Sequence, residues 1–153
     1  MLSHQLQSKT GTYVIWLQLG SERQIQVGRL GKVILKPGYY AYVGSAFGPG
    51  GVHARLGRHF KTHKKKRWHI DYLRAVCSVR EAWVSYDKQR LEHRWADRLM
   101  GLKGAWLPAA RFGASDCSCA AHLIGFARLP SLQRFLEGME HTDLAVERIK
   151  PEL

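Results

Sequence analysis

The apolar run at residues 12–19, TYVIWLQL, constrains the fold more than any other segment of the chain. Its β-branched and aromatic residues are typical of a buried β-strand. Residues 39–44, YYAYVG, predict a second strand of the same kind. Two shorter apolar segments, at residues 24–27 and 32–35, lie on either side of a glycine-containing turn and predict a hairpin between the two strands. The N-terminal part of the chain is therefore expected to form β-sheet.

The remainder of the chain predicts a mixture of helices and strands. Helices are predicted at residues 51–62, 68–76, 90–102 and 131–138, and strands at 79–86 and 122–127. Together these elements predict an α/β or α+β fold, with a small, mainly antiparallel sheet flanked by helices. We interpret residues 1–153 as a single domain, with a core at about 10–138 and a polar C-terminal tail at 139–153.

The chain carries a large positive charge. It has 24 Lys and Arg against 12 Asp and Glu, which gives a formal net charge of +12. Such an excess favours polyanions, because each phosphate contact releases condensed counterions. The densest basic run is expected either to bind phosphate or to form a plain solvated loop, and it consists of Lys64, Lys65, Lys66 and Arg67. We therefore expect nucleic acid as the partner; the alternatives are a merely basic soluble protein and one drawn to an anionic membrane surface.

Membrane and secretion signals are not evident in the sequence. No apolar run reaches the roughly 18–20 residues that span a bilayer, and the first residues lack the pattern of a signal peptide. The three cysteines are too few for a disulfide scaffold. We expect a cytoplasmic protein with reduced thiols and no membrane partner.

The first predicted helix presents two polar side chains at the border of its apolar stripe. Val52, Leu56 and Phe60 recur every four residues and define the buried stripe, while Arg55 and His59 fall at its edge. A border arginine can keep its stem in apolar contact and aim its guanidinium into a cleft. An ordinary solvated helix charge is the alternative. Arg58 falls nearly opposite the stripe, towards water.

A carboxylate occupies an unusual position on the predicted helix at residues 90–102. Glu92 lies only about 60° from the centre of the apolar stripe on a helical wheel. A carboxylate held there loses hydration, which is costly unless a cation compensates. That cation is either a buried arginine or a divalent metal, and Mg²⁺ typically uses one or two carboxylates plus waters. The sequence leaves both alternatives open.

Tyrosines are concentrated on the two strongest predicted strands. Tyr13 lies on the first, and Tyr40 and Tyr42 share one face of the second because side chains alternate along a strand. Taken singly, each is expected to serve in packing.

A cysteine-rich segment forms a second candidate site. Cys117, Cys119 and His122 follow a C-x-C-x-x-H pattern that could bind Zn²⁺, with Cys77, His93 or His69 as a fourth ligand. A buried turn without metal is the other reading. Asp116 beside them either caps the next element or lies at the cleft.

Several of these residues stand in the order of a known motif set. Gly11-Thr12-Tyr13 resembles the "GIY" element, and Tyr42-Val43-Gly44 the "YIG" element, of the GIY-YIG nuclease superfamily. Arg55 with His59 is similar to the Arg-x-x-x-His of that superfamily's helix, and Leu91-Glu92-His93 resembles the segment with its metal-binding glutamate. Longer blocks at residues 39–58, 68–73 and 113–123 look like those of one small branch, so the resemblance covers roughly residues 10–127. Thr12 stands where the motif has isoleucine.

The resemblance implies a set of catalytic roles. Glu92 would hold one Mg²⁺ or Mn²⁺ against the phosphate, and Arg55 would bind its non-bridging oxygens. Tyr13 would take a proton from the attacking water, Tyr42 would help to position that water, and His59 is a candidate assisting base.

These inferences predict a metal-dependent endonuclease that hydrolyses phosphodiester bonds in DNA. The residues expected to contact nucleic acid are Gly44, Ser45, Arg58, Lys64, Lys65, Lys66, Arg67 and His69. The competing readings are a non-catalytic nucleic-acid-binding module of the same fold and a zinc-stabilised interaction domain.

Overall fold

The computed structural model of the chain describes residues 6–61, 65–66, 68–109, 112, 122–137, 139 and 145–150. Within these residues the fold is α+β, as the sequence predicts: a five-stranded antiparallel sheet, a separate two-stranded hairpin and four helices. The strands are β1 (Gly11–Leu19), β2 (Arg23–Val27), β3 (Gly31–Leu35), β4 (Gly38–Ala46), β5 (Ser78–Ser85), β6 (Leu123–Phe126) and β7 (Glu147–Ile149). The helices are α1 (Gly51–Phe60), α2 (His69–Arg74), α3 (Glu92–Met100) and α4 (Leu132–Leu136), and a 3₁₀ turn at Gly28–Leu30 joins β2 to β3.

The main sheet has the strand order β6-β4-β1-β5-β7, with β1 at its centre. β1 pairs along its whole length with β4, from Gly11 opposite Ala46 to Leu19 opposite Gly38, and on its other side with β5. The strands predicted at 12–19 and 39–44 are thus confirmed and are longer than predicted. The hairpin predicted between them is also confirmed, as β2 and β3.

Both faces of the main sheet are buried, which explains why the sequence of β1 is mostly apolar rather than alternating. Tyr13 and Ile15 point to one face, where they pack with α1, α2 and the β2–β3 hairpin. Val14 and Trp16 point to the opposite face, where they pack with residues of α3 and α4. The core therefore consists of two layers separated by the sheet.

The C-terminal segment differs from the sequence interpretation, which assigned residues 139–153 to a tail outside the core. Residues Glu147–Ile149 form β7, which pairs antiparallel with β5, and Ile149 is buried in the core. A strand of three residues is too short to show an apolar periodicity, so its partner on β5 could not be recognised from the sequence.

A buried carboxylate fastens β7 to the sheet. Glu81 of β5 is 3% exposed and accepts hydrogen bonds from Trp83 Nε1 at 2.7 Å, Arg148 Nε at 2.9 Å and Arg148 Nη2 at 3.0 Å. A buried charge is tolerated when a cation and hydrogen bonds answer it, and Arg148 supplies both.

None of the helices in the described part of the chain is long and apolar enough to cross a membrane.

Arg148→Met should destabilise the protein, because it leaves the Glu81 carboxylate with only the Trp83 donor. We expect the free energy of unfolding in urea to fall by about 1–2 kcal/mol, the usual cost of an under-satisfied buried acceptor. Lys150→Met removes the same charge from an exposed position two residues away and should change stability by less than about 0.5 kcal/mol. Equal effects of the two substitutions would refute this role for Glu81.

Candidate active site

The two motif tyrosines lie on the same face of the sheet and are buried against α1. In the β1–β4 ladder Tyr13 is opposite Gly44 and Ile15 is opposite Tyr42. Tyr13 is 1% exposed and Tyr42 is 8% exposed. A Cβ atom at position 44 would lie 2.4 Å from Tyr13 Oη, so only glycine leaves room for this phenol. Gly44 therefore permits a close approach across the ladder.

His59 of α1 contacts the Tyr13 phenol directly. Its Nε2 atom lies 2.9 Å from Tyr13 Oη, and its ring is also 6.0 Å from that of Tyr42. The sequence placed His59 at the border of core and solvent, which is wrong: it is 1% exposed. The reason is tertiary, because Trp68, just before α2, packs edge-on against the imidazole with ring centroids 5.4 Å apart.

Arg55 is half-buried and held from two sides. Its Nη1 donates to the backbone carbonyl of Ser45 at 3.1 Å, and its guanidinium carbon lies 4.7 Å from the centre of the Trp68 ring. Its charge acts on the Tyr13 phenol, where it opposes the rise of that group's pKa. The stem of Arg55 is thus packed while its charged end lies beside the phenols, as the border position predicts.

An open cleft of about 140 Å³ adjoins Arg55. It is lined by Ala46, Gly48, Pro49, Gly51, Ala54, Arg55 and Arg58. The glycine-rich segment between β4 and α1 forms one wall, so among the described residues this side of Arg55 is bordered mainly by small side chains.

Glu92 is the first residue of α3 and approaches the same end of β4 from the opposite face of the sheet. Ser45 Oγ donates to Glu92 Oε1 at 3.1 Å, and Glu92 Oε2 lies 3.7 Å from His122 Nδ1. The Glu92 side chain is 21% exposed. In the described part of the chain its contacts are thus a hydroxyl and an imidazole, which leaves the carboxylate accessible at one side.

Thr12 fixes the start of α3, a role that the sequence interpretation missed. Its hydroxyl is fully buried and accepts a hydrogen bond from the Leu91 N–H at 3.2 Å. Since Leu91 immediately precedes Glu92, this contact fixes the backbone position from which the Glu92 side chain extends. A polar residue at the start of the mostly apolar run 12–19 was the available signal.

Burial dominates the electrostatics of the phenols. Desolvation raises the pKa of Tyr13 far above its ordinary value, Tyr42 adds to the rise, and the Arg55 charge opposes it. Desolvation likewise raises the pKa of Tyr42, with the negative charge of Glu92 adding to it and Arg55 opposing it. Both hydroxyls are therefore neutral at physiological pH.

Arg58 was expected to face water, and the structure corrects this. It forms a bidentate ion pair with Asp71, both Nη atoms lying 2.9 Å from a carboxylate oxygen, and its guanidinium carbon is 4.1 Å from the centre of the Trp68 ring. Asp71 is 2% exposed and also accepts from the Trp68 N–H at 2.9 Å. The cause is α2, which packs on the outer side of α1. Contact of Arg58 with nucleic acid stays a prediction.

The other residues expected to bind nucleic acid are distributed around this cluster. Lys65 and Lys66 are exposed, whereas Lys64 and Arg67 lie outside the described residues. The ring of His69 packs 5.2 Å from that of Phe112, and burial lowers its pKa. Ser45 lies between Arg55 and Glu92, in contact with both.

The possible zinc cluster is only partly described. Asp116, Cys117 and Cys119 lie outside the described residues, while His122 lies beside Glu92 with its ring 6.0 Å from that of His93. Cys77 is buried in the core, and that burial raises the pKa of its thiol to about 11. Among the described residues no group of three or more His, Cys, Asp or Glu is arranged to hold a metal ion. Zinc binding stays a prediction.

Comparison with known proteins identifies a family. The family model described as "Domain of unknown function DUF123" matches residues 12–144, most of the chain, so the chain belongs to that family. No curated protein and no solved structure matches it.

Gly44→Ala should disrupt the cluster, because the added methyl group would overlap the Tyr13 hydroxyl and push the ring away from His59. We expect a loss of about 1–3 kcal/mol in the free energy of unfolding, the range for an overpacked core. Gly57→Ala is the matched control: its Cβ would meet nothing within 4 Å in the middle of α1, so stability should rise by up to about 1 kcal/mol. Wild-type stability of Gly44→Ala would contradict the close packing.

The raised pKa values of Tyr13 and Tyr42 predict alkaline instability. Tyrosines of the unfolded chain ionise near pH 10, whereas the buried phenols keep their protons, so stability is complete below pH 10 and falls as pH rises towards the folded-state values. Each such tyrosine contributes a slope of up to about 1.4 kcal/mol per pH unit.

Urea denaturation between pH 8 and 11 measures this slope. Tyr13→Phe should show a shallower decline above pH 10 than the wild type, and the measurement at pH 8 separates any packing cost of the lost hydroxyl. Parallel curves for the two proteins would show that Tyr13 ionises equally in the folded and unfolded states.

Proposed function

We propose that this DUF123 chain is a metal-dependent nuclease that hydrolyses phosphodiester bonds in DNA, as its resemblance to the GIY-YIG nucleases implies. The observation that supports this most strongly is the bridging position of Ser45. Its carbonyl accepts from Arg55 and its hydroxyl donates to Glu92, next to the buried phenol of Tyr13. A guanidinium, a carboxylate and a phenol from three distant stretches of the chain thereby meet at the end of β4.

The carboxylate of Glu92 suits a magnesium or manganese ion. Mg²⁺ is usually bound through one or two carboxylates, several waters and the phosphate of the substrate, not by a cage of protein ligands. Glu92 offers one partly exposed carboxylate, which the Ser45 hydroxyl contacts through Oε1. When bound, such an ion would neutralise charge on the phosphate and on the departing 3′ oxygen.

Arg55 is assigned to the non-bridging oxygens of the phosphate. Its planar fork has five N–H donors, and the bond to the Ser45 carbonyl leaves others for the substrate. The Trp68 ring packs against the guanidinium and fixes its orientation. The Arg55 side chain is therefore already ordered before phosphate binds.

Tyr13 and His59 are assigned to the proton transfer. Because Tyr13 is neutral at physiological pH, it can accept a proton from water only if it gives up its own. His59 Nε2, 2.9 Å away, is positioned to receive that proton. In the proposed reaction water loses a proton to Tyr13 as the phenolic proton passes to His59, while the neutral hydroxyl of Tyr42 orients the water. Burial disfavours a free Tyr13 phenolate, and this coupled transfer of two protons avoids forming one.

The charge of the chain supports a nucleic-acid substrate. A net charge of +12 favours association with phosphate backbones, and Lys65 and Lys66 are exposed in the segment between α1 and α2. DNA as the substrate and a cytoplasmic location are part of the same proposal.

Cleavage of fluorescent single-stranded, duplex and branched DNA with Mg²⁺ or Mn²⁺ tests the proposal. Arg55→Ala and Glu92→Gln should each lower the rate by at least about 100-fold, the usual effect of losing an electrostatic stabiliser. Tyr13→Phe and His59→Gln should lower it by about 10²–10⁴-fold, the contribution of a proton-transfer group. Glu92→Gln should still bind DNA.

Arg80→Ala and Glu22→Gln provide charge-matched controls at exposed positions and should cleave like the wild type. Wild-type rates in the Arg55 and Glu92 variants would remove both residues from the reaction. A wild-type protein that binds every DNA form and cleaves none would indicate the non-catalytic binding module instead.

A further inference from the structure

Phe47 and Arg90 form a contact that the proposed reaction does not use. The guanidinium carbon of Arg90 lies 4.3 Å from the centre of the Phe47 ring. Phe47 is partly buried, and Arg90 is exposed. The pair joins the chain just after β4 to the chain just before α3, across the solvent-facing rim of the candidate active site.

The pair lies next to Glu92. Phe47 follows Ser45 by two residues, and Arg90 precedes Glu92 by two residues, a separation that spans at most about 7 Å of chain. Ser45 and Glu92 are themselves hydrogen-bonded. A strand whose phosphate lies between Arg55 and Glu92 therefore has the Arg90 side chain within the reach of an adjoining nucleotide.

The chemistry of the pair suits a flat, aromatic ligand. Bases of single strands stack on aromatic rings and on the planar guanidinium of arginine. Phe47 supports one side of the Arg90 plane, and the exposure of Arg90 leaves it open to a ligand. A lysine at position 90 would keep the charge without offering a plane.

We propose that Phe47 and Arg90 form a stacking site for a nucleobase next to the phosphate that Arg55 binds beside Glu92. This inference rests on the proposed nuclease function and specifies its substrate class. A base inside a duplex is already stacked on both sides, and removing it from the stack costs free energy. The site therefore selects DNA with an unpaired base beside the cleaved bond: single strands, flaps or distorted duplexes.

Equilibrium binding without divalent metal tests the stacking site independently of cleavage. Two fluorescent 12-nucleotide probes are compared: oligothymidylate, and an abasic phosphodiester strand with the same number of phosphates. The wild type should bind oligothymidylate more tightly than the abasic strand. Arg90→Lys and Phe47→Leu should weaken oligothymidylate binding by roughly 5- to 100-fold, the usual range for one lost base stack, and change abasic binding by less than about 3-fold. Lys88→Ala, an exposed charge nearby, should reduce binding of both probes equally.

The outcomes separate the two proposals. A wild type that binds neither probe contradicts the nucleic-acid function itself. A wild type that binds both, with variants that keep its base preference, overturns the stacking site alone. If Arg90→Lys lowered the affinity for both probes equally, the stacking site would likewise be overturned. The lost contact would then be to phosphate and not to a base. Thermal unfolding of Phe47→Leu and Arg90→Lys near the wild-type temperature excludes misfolding as the cause.

Discussion

The backbone hydrogen bonds that hold β1 between β4 and β5 are the constraint on which the rest of the structure depends. Because consecutive side chains of a strand point to opposite faces, the dipeptide Thr12-Tyr13 serves both halves of the site. Tyr13 enters the layer under α1 and meets His59. Thr12 enters the opposite layer and receives the N–H that precedes Glu92. The adjacent residues Thr12 and Tyr13 therefore fix the position of the carboxylate on one face of the sheet and of the phenol on the other.

The electrostatic design of the site combines neutral and charged groups in one small volume. Desolvation keeps the phenols of Tyr13 and Tyr42 protonated, although the Arg55 charge opposes the rise of their pKa values. Groups fixed in a region of low dielectric interact more strongly than they would in water. In the proposed nuclease, the binding energy of a phosphate comes from dipoles and charges already in place. Asp71 contributes indirectly, because its pairing with Arg58 holds α2 and Trp68 against α1.

The sequence predicted the elements with strong local signals and missed contacts between distant segments. The runs 12–19 and 39–44 were recognised as strands because burial on both faces leaves them rich in β-branched and aromatic residues. No local sequence pattern predicted β7, whose partner strand β5 lies more than 60 residues away in the chain. The burial of His59 depends on Trp68, which a wheel of α1 alone cannot include. The meeting of Tyr13, Arg55 and Glu92 was expected only through the family resemblance, since no spacing rule relates segments so far apart.

The close approach of Tyr13 to Gly44 also constrains how this sequence can change over generations. No side chain, not even a methyl group, fits over residue 44 while the phenol occupies its place. A lineage that gave up the tyrosine for a smaller residue would free position 44 to vary, whereas one that replaced the glycine first would displace the phenol at once. The two positions are therefore expected to drift as a pair, and a substituted residue 44 in any relative would mark a protein whose phenol has moved or gone.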